Sequence, residues 1–179
     1  MKLVSFQVQT PVGRFVRVGA IHGHEIIDLN MAYARMLADQ HEAQPYRLAN
    51  ALVPATMLEL LEGETSSMKA ARRAFDYMVS FDRAVHGPHG ETIFYALGDV
   101  RILAPLPNPP SLRDFIAFED HIAATSQKRG QPIPPEWYKM PVYYKGNHRT
   151  IIGPDDVLPW PLETTKLDYE LELACIIGR

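Results

Sequence analysis

The stretch LDYELELACIIGR, residues 167–179, alternates apolar and acidic side chains and then becomes wholly apolar. Neighbouring side chains of a β-strand point to opposite faces, so an alternating strand here would place three carboxylates on one face: Asp168, Glu170 and Glu172. Residues two apart on one face lie about 6.5–7 Å from each other. At an effective dielectric constant near 20, two such charges repel by about 2.4 kcal/mol. These carboxylates therefore need a cation, a proton or open water.

The residues that follow the acidic positions, LACIIG (173–178), are apolar on both faces of such a strand. This pattern is typical of a strand that enters a core covered on both sides. A metal site at the mouth of the strand and a solvated outer face both remain open as explanations for the carboxylates. Cys175 lies inside the apolar run and is the only cysteine, so no intramolecular disulfide forms. We expect it to be packed in the core rather than to act in catalysis.

The composition is that of an ordinary globular protein, with 179 residues, 46% hydrophobic residues and a net charge of −3. This length suffices for one domain or two small ones. The chain has no basic patch, so we expect no nucleic-acid partner. Its apolar runs are shorter than a bilayer span and its N-terminus lacks signal-peptide features, so we expect no membrane partner. The single cysteine favours a cytoplasmic location.

The chain divides into two parts at a proline-rich connector. Residues 2–30 read as three short β segments with turns near 10–13 and 22–24. A helical pattern follows to about residue 86, and its last helix is predicted to end at Gly87. Four prolines between 105 and 110 forbid a helix, so we predict a β-rich and helical domain over 1–104 and a second domain over 105–179. In the second domain, PVYYKG and RTIIG are predicted strands.

Three blocks of the second part carry a family resemblance: SLRDFIAFEDHIAA (111–124), PEWYKMPVYYKGNHRTIIGPDDVLPWP (135–161) and KLDYELELACIIG (166–178). In this order, they resemble the fumarylacetoacetate hydrolase family and are closest in motif to its fumarylacetoacetase branch. The resemblance implies an α+β fold, in which a small β-rich N-terminal domain with helices precedes the first part of a mixed β-roll catalytic domain. It also implies that the chain is an N-terminal fragment, because a further metal-binding aspartate lies downstream in the family.

The resemblance implies a metal-dependent hydrolase that cleaves a carbon–carbon bond in a 2,4-dioxo acid such as fumarylacetoacetate or an acylpyruvate. A histidine-activated water would attack, and the metal would stabilise the departing enolate. Mg²⁺ is the expected divalent metal, with Mn²⁺ and Ca²⁺ open, because hard cations prefer oxygen ligands. The partner is then a small dioxo acid, and the family also implies a homodimer and a place in aromatic amino acid catabolism.

The resemblance also assigns roles to seven residues. The metal ligands would be Asp114, Glu170 and Glu172. His121 matches the histidine that activates water, a task that suits a group whose pKa lies near neutrality. The substrate contacts would be Arg129, Tyr144 and Lys145. Simpler roles stay open: His121 as a structural histidine, Asp114 as the cap of a helix starting at Phe115, and Arg129 as a solvated charge.

One position departs from the pattern, and two other functions stay open. Shorter family members pair the histidine with a glutamate three residues later, where this chain has Ala124. An orienting carboxylate must therefore come from elsewhere. A hydratase, decarboxylase or isomerase of 2-oxo acids could use the same fold. A noncatalytic module that binds Ca²⁺ through its carboxylates is an alternative of a different class.

Overall fold

A computed structural model describes residues 1–81 and 85–178 of the chain. It contains two compact units: Met1–Pro107 together with the described part of Ile152–Arg179, and Asn108–Ile151. Helices and antiparallel strands occur side by side, which confirms the predicted α+β class. The domain boundary near residue 105 stays a prediction. None of the described helices is long and apolar enough to cross a bilayer.

The first unit is built on a five-stranded antiparallel sheet in the order β4-β3-β2-β1-β5. Its strands are β1 (Lys2–Thr10), β2 (Gly13–His22), β3 (Glu25–Asp28), β4 (Phe94–Ala96) and β5 (Arg101–Ile102). The three β segments predicted at the N-terminus are confirmed. Gly13 and Gly23 lie at the two predicted turns, and both have positive φ angles, which glycine adopts without the steric cost of a Cβ atom.

Four helices complete the first unit: α1 (Leu29–Asp39), α2 (Pro45–Leu52), α3 (Met57–Glu62) and α4 (Glu64–Val79). The prediction that the last of them continues to Gly87 is wrong. The Ser80 hydroxyl donates a 2.7 Å hydrogen bond to the Tyr77 carbonyl, and the Ser80 N–H donates to the same oxygen. These bonds satisfy the end of the helix. Residues 82–84 of the predicted helix lie outside the described residues.

The main hydrophobic core lies between one face of the sheet and the helices. Its fully buried side chains include Val18, Ile27, Leu29, Leu60 and Met78. The amphipathic spacing of α4 places its alanines and Met78 on this side. Burial of these apolar surfaces, at about 25 cal/mol per Å², is what holds the helices on the sheet.

A polar network ties β2 to the start of α1 at the edge of this core. The Arg17 guanidinium donates to both carboxylate oxygens of Asp28 (2.6 and 3.0 Å) and to Asn30 Oδ1 (3.1 Å). Asp28 also accepts from the Met31 N–H and so caps α1. Burial disfavours the charge on Arg17, but the hydrogen bonds and charge of Asp28 outweigh burial and raise the pKa of the guanidinium.

We expect Asp28→Ala to lower the free energy of unfolding by about 3 kcal/mol or more, because Arg17 would keep a mostly buried charge without its partner. Urea unfolding measures this loss. The matched control is Asp39→Ala, which removes a solvent-accessible ion pair with Arg35 and a hydrogen bond from the Tyr77 hydroxyl. It should cost about 1 kcal/mol or less. Equal losses in the two variants would contradict this account of the network.

The second unit contains β6 (Asp114–Phe115), α5 (Glu119–Lys128) and β7 (Tyr143–Tyr144). Strands β6 and β7 form a two-stranded antiparallel sheet. The strand predicted within PVYYKG is confirmed at Tyr143–Tyr144. The strand predicted at RTIIG is wrong: His148–Thr150 form a 3₁₀ turn, in which the Asn147 side chain accepts from the Arg149 N–H at 3.1 Å. This local bond favours a turn over an extended strand.

After the second unit, the chain returns to the sheet of the first unit beside β5. A Cβ atom on Gly153 would lie 2.8 Å from the Ile102 carbonyl oxygen, so only glycine fits this close approach without a shift. The Asp156 carboxylate accepts from the Gly153 N–H and from the Arg101 guanidinium. Both bonds lower the pKa of Asp156, the one from Gly153 more than the one from Arg101. These contacts anchor residues 153–156 before the acidic stretch begins.

The predicted strand at the acidic stretch is wrong, because residues 167–178 form neither helix nor strand. A strand needs a neighbour that completes its backbone hydrogen bonds, and no described residue pairs with this segment. The predicted burial of Cys175 is wrong as well, because the thiol is exposed. Leu171 and Leu173 are 93% and 92% exposed.

Candidate active site

The ladder between β6 and β7 brings two of the candidate residues together. Asp114 lies directly opposite Tyr144 in the antiparallel register. Residues paired in this way share one face of the sheet, with Cβ atoms about 4.5–5.5 Å apart. Asp114 is half-buried, and Tyr144 is 68% exposed. A carboxylate and a phenol therefore point from the same face, and both are open to a ligand.

Asp114 does not cap a helix that starts at Phe115, which removes the simpler role considered for it. It lies in β6, and α5 begins later, with Phe118 at its N-cap. The Asp114 carboxylate is thus free of a capping bond to α5. Its place on a strand fixes its direction relative to Tyr144 more firmly than a loop would.

The opposite face of the same ladder is held by aromatic packing. The rings of Phe115 and Tyr143 lie 5.4 Å apart at an angle of 54°. The Arg113 guanidinium lies 5.1 Å from the centre of the Tyr143 ring, within reach of a cation–π interaction. Sequence reasoning missed these three residues, although the alternation of side chains along Arg113, Asp114 and Phe115 was the signal that could have separated the two faces.

His121 lies in the first turn of α5, and its side chain is exposed. Its backbone carbonyl accepts a 3.0 Å hydrogen bond from the Thr125 hydroxyl. Within the described residues, no carboxylate hydrogen-bonds to its ring, and the position of Ala124 is also exposed. The imidazole is therefore accessible to a substrate, and α5 fixes the position of the backbone that carries it.

Arg129 and Lys145 lie at the ends of elements of the second unit. Arg129 caps the C-terminus of α5, where Gly130 has a φ of 66° and the Gln131 N–H donates to the Ser126 carbonyl. This arrangement is a typical glycine-dependent helix end. Lys145 follows β7 directly after Tyr144. Both charged side chains are exposed, and within the described residues no ion pair ties either of them to another candidate.

Glu170 and Glu172 belong to the other unit and are exposed in a segment without regular structure. Asp168 differs from them, because its carboxylate accepts the Tyr169 N–H at 2.9 Å. Across residues 1–81 and 85–178, no three His, Cys, Asp or Glu side chains form a group that could hold a metal ion. Each of the three expected ligands, Asp114, Glu170 and Glu172, offers carboxylate oxygens, which are the donors that a hard cation prefers.

A shallow cleft of about 410 Å³ lies beside the ladder in the second unit. Its walls are formed by residues 115–117 on one side and residues 137–142 on the other. None of the seven candidate residues lines it. The cleft therefore borders the chain that leaves β6 rather than the Asp114–Tyr144 face itself.

The second part of the chain matches a known protein family. Residues 112–179 match the family model described as the C-terminal part of fumarylacetoacetate (FAA) hydrolase. The matched segment starts just before β6 and includes all seven candidate residues. It supports the fumarylacetoacetate hydrolase family for this part of the chain.

Several curated proteins are similar to the chain over its whole length. It is 26% identical over 180 residues to the mitochondrial oxaloacetate tautomerase fahd2 of Xenopus laevis, covering 100% of this chain and 44% of the relative. It is 26% identical over 179 residues to the mitochondrial oxaloacetate tautomerase FAHD2A of Bos taurus, and 24% over 180 residues to the human protein of that name. In both, 100% of this chain aligns with 45% of the relative. The chain thus spans less than half the length of these relatives.

These comparisons correct two expectations. They support the fumarylacetoacetate hydrolase family, but they do not single out the fumarylacetoacetase branch, because the relatives are named as tautomerases. The expected cytoplasmic location is wrong, because the relatives from frog, cattle and human are all named as mitochondrial proteins. A single cysteine indicates a reducing environment, and it does not separate one reducing compartment from another.

Proposed function

We propose that this chain is part of an enzyme of the fumarylacetoacetate hydrolase family that interconverts the keto and enol forms of oxaloacetate or a closely similar 2-oxo acid. The observation that carries this proposal is the alignment of the whole chain with relatives named oxaloacetate tautomerases. The juxtaposition of Asp114 and Tyr144 supports it, because it presents a carboxylate and a phenol to one ligand. The same relatives favour a mitochondrial location.

The reaction needs one base and one acid. In the keto-to-enol direction, the C3–H bond breaks and its electrons form a C2=C3 double bond. The C2=O double bond becomes single, and its oxygen gains a proton. His121 is the proposed base that takes the C3 proton onto a ring nitrogen. Tyr144 is the proposed donor of a proton to the C2 oxygen, and solvent restores both groups. The reverse direction uses the same two groups with their roles exchanged.

Substrate carboxylates need cations to hold them in place. Arg129 can bind a carboxylate through two parallel hydrogen bonds, and Lys145 can provide a positive charge next to Tyr144. Both side chains are exposed and available for this task. Such binding would hold C3 of the substrate near the base in a productive orientation, which lowers the barrier to proton transfer.

The proposed metal ligands are Asp114, Glu170 and Glu172. A divalent cation bound there would polarise the substrate carbonyl and so make the C3 proton more acidic. The carboxylate oxygens of the three residues support this assignment. We further propose that the cation is Mg²⁺, with Mn²⁺ or Ca²⁺ as alternatives, and that the enzyme is a homodimer.

Hydrolysis of a carbon–carbon bond in a 2,4-dioxo acid is the second candidate. The observation that favours it is the description of the family model that matches residues 112–179. Hydrolysis and tautomerisation share an enolate, but hydrolysis also needs an attacking water and a leaving carbon group.

Product analysis with the intact enzyme separates the two candidates. We expect oxaloacetate to change tautomer without loss of carbon, and acylpyruvates to remain intact. Cleavage of acylpyruvate into pyruvate and a carboxylic acid, with no effect on oxaloacetate, would favour the hydrolase. Stabilisation by Ca²⁺ with no turnover of any 2-oxo acid would favour a noncatalytic module and contradict both.

A further inference from the structure

A short connector, residues 116–118, joins the strand that carries Asp114 to the helix that carries His121. Two consecutive aromatic side chains bond to Ile116, at the start of this connector, and to Glu119, directly after its end. The Trp137 indole N–H donates to the Ile116 carbonyl at 2.9 Å, and the Tyr138 hydroxyl donates to Glu119 Oε1 at 2.6 Å. The two rings meet edge to face, with centroids 5.0 Å apart.

The aromatic pair, Trp137 and Tyr138, lies in a short turn whose backbone is restricted by prolines. It belongs to the 3₁₀ turn Pro135–Tyr138, which follows Pro134 and contains a hydrogen bond from the Trp137 N–H to the Pro134 carbonyl. The fixed φ angles of two consecutive prolines restrict this turn before any contact forms. Local contacts that do not involve α5 therefore restrict the backbone of the pair.

The start of α5 has no side-chain cap of its own. Phe118 at the N-cap position offers no side-chain oxygen to the first turn. Glu119 is the first residue of the helix, and its bond to Tyr138 connects the first turn of α5 to the 3₁₀ turn Pro135–Tyr138. This bond also raises the pKa of Tyr138, because the carboxylate of Glu119 holds the proton on the hydroxyl.

We propose that Trp137 and Tyr138 are positioning residues, which set the direction in which α5 leaves β6 and therefore the place of the His121 imidazole relative to Asp114 and Tyr144. This inference rests on the proposed function. His121 has no orienting carboxylate among the described residues, so the position of its imidazole depends on the direction of α5. Small misplacements of a catalytic group lower the rate of chemistry more than they lower substrate binding.

Four variants of the intact enzyme test the proposal. Tyr138→Phe and Glu119→Ala each remove the bond, whereas Glu119→Gln keeps an oxygen that can accept it. We expect Tyr138→Phe and Glu119→Ala to lower kcat for oxaloacetate tautomerisation by about tenfold with KM changed by less than about twofold. Glu119→Gln should keep most of the activity. The matched control is Tyr143→Phe, which makes the same chemical change on the opposite face of the ladder and should leave kcat unchanged.

Amide hydrogen exchange over residues 118–125 supplies a second measurement that does not need activity. We expect faster exchange there in Tyr138→Phe than in the wild type, and unchanged exchange in Tyr143→Phe. Wild-type kcat in Tyr138→Phe, or equal losses in Glu119→Gln and Glu119→Ala, would overturn the proposal. If the wild type does not tautomerise oxaloacetate, the proposed function fails. Amide hydrogen exchange then tests only whether the pair holds α5. Faster exchange in Tyr138→Phe would support this role, and unchanged exchange would overturn it.

Discussion

Replacing Glu170 and Glu172 together by glutamine is expected to abolish divalent-cation binding and to lower turnover by at least about a thousandfold. Glutamine keeps the size of each side chain and removes its charge, so the loss would report on charge rather than on packing. Both residues are exposed, and the fold of the described units does not depend on them. Calorimetric titration with Mg²⁺ and Mn²⁺, together with kcat, measures the two effects.

The matched control for this experiment is Asp168→Asn in the same segment. Asp168 is equally exposed, but its carboxylate accepts the Tyr169 N–H and is not a proposed ligand. We expect this variant to bind the cation and to turn over like the wild type. Full activity in the double glutamine variant would exclude Glu170 and Glu172 from the site. An equal loss in Asp168→Asn would mean that the general negative charge of the segment matters, not the two ligands.

Replacing His121 by asparagine is expected to lower kcat by about 10²–10⁴-fold, the range typical for the loss of a general base. Asparagine can still form hydrogen bonds but cannot take the C3 proton at neutral pH. His121 is exposed in α5, so its replacement removes no core packing, and a thermal melt checks that the fold is intact.

His148→Asn is the control for the histidine experiment. His148 lies in the second unit, in the 3₁₀ turn that follows β7, and has no role in the proposed reaction. It should retain wild-type kcat. Retention of wild-type kcat in His121→Asn instead would remove His121 as the base and leave Tyr144 as the first residue to test in that role.

Local patterns predicted the N-terminal strands and the helical region of the first unit, but neither β4 nor β5. Alternation and turn glycines indicated β1, β2 and β3, and the 3.6-residue spacing of apolar side chains indicated the helices. The buried network of Arg17, Asp28 and Asn30 was missed, because its partners lie 11 and 13 residues apart and on different elements. The one local signal was an aspartate directly before a helix, which is typical of an N-cap.

The site was predicted as a set of residues but not as an arrangement. Family motifs named Asp114 and Tyr144 separately, whereas their pairing depends on the register of two strands that lie 30 positions apart in the chain. The acidic alternation at residues 167–173 suggested a strand, yet alternation describes only which side chains share a face. A strand forms when a neighbour completes its backbone hydrogen bonds, and no single-segment pattern contains that neighbour. The contacts of Trp137 and Tyr138 were not predicted either, because their partners lie 21 and 19 residues away in the chain.

Proton exchange at C3 of oxaloacetate tests the proposed function most directly. In D₂O, a tautomerase must move deuterium from the solvent to C3 faster than the uncatalysed reaction does, and this is followed by NMR of the substrate. We predict that the intact enzyme accelerates this exchange, that His121→Asn largely abolishes the acceleration, and that no carbon–carbon cleavage product accumulates. Exchange at the uncatalysed rate, together with cleavage of a 2,4-dioxo acid by the same preparation, would contradict the tautomerase and establish a hydrolase instead.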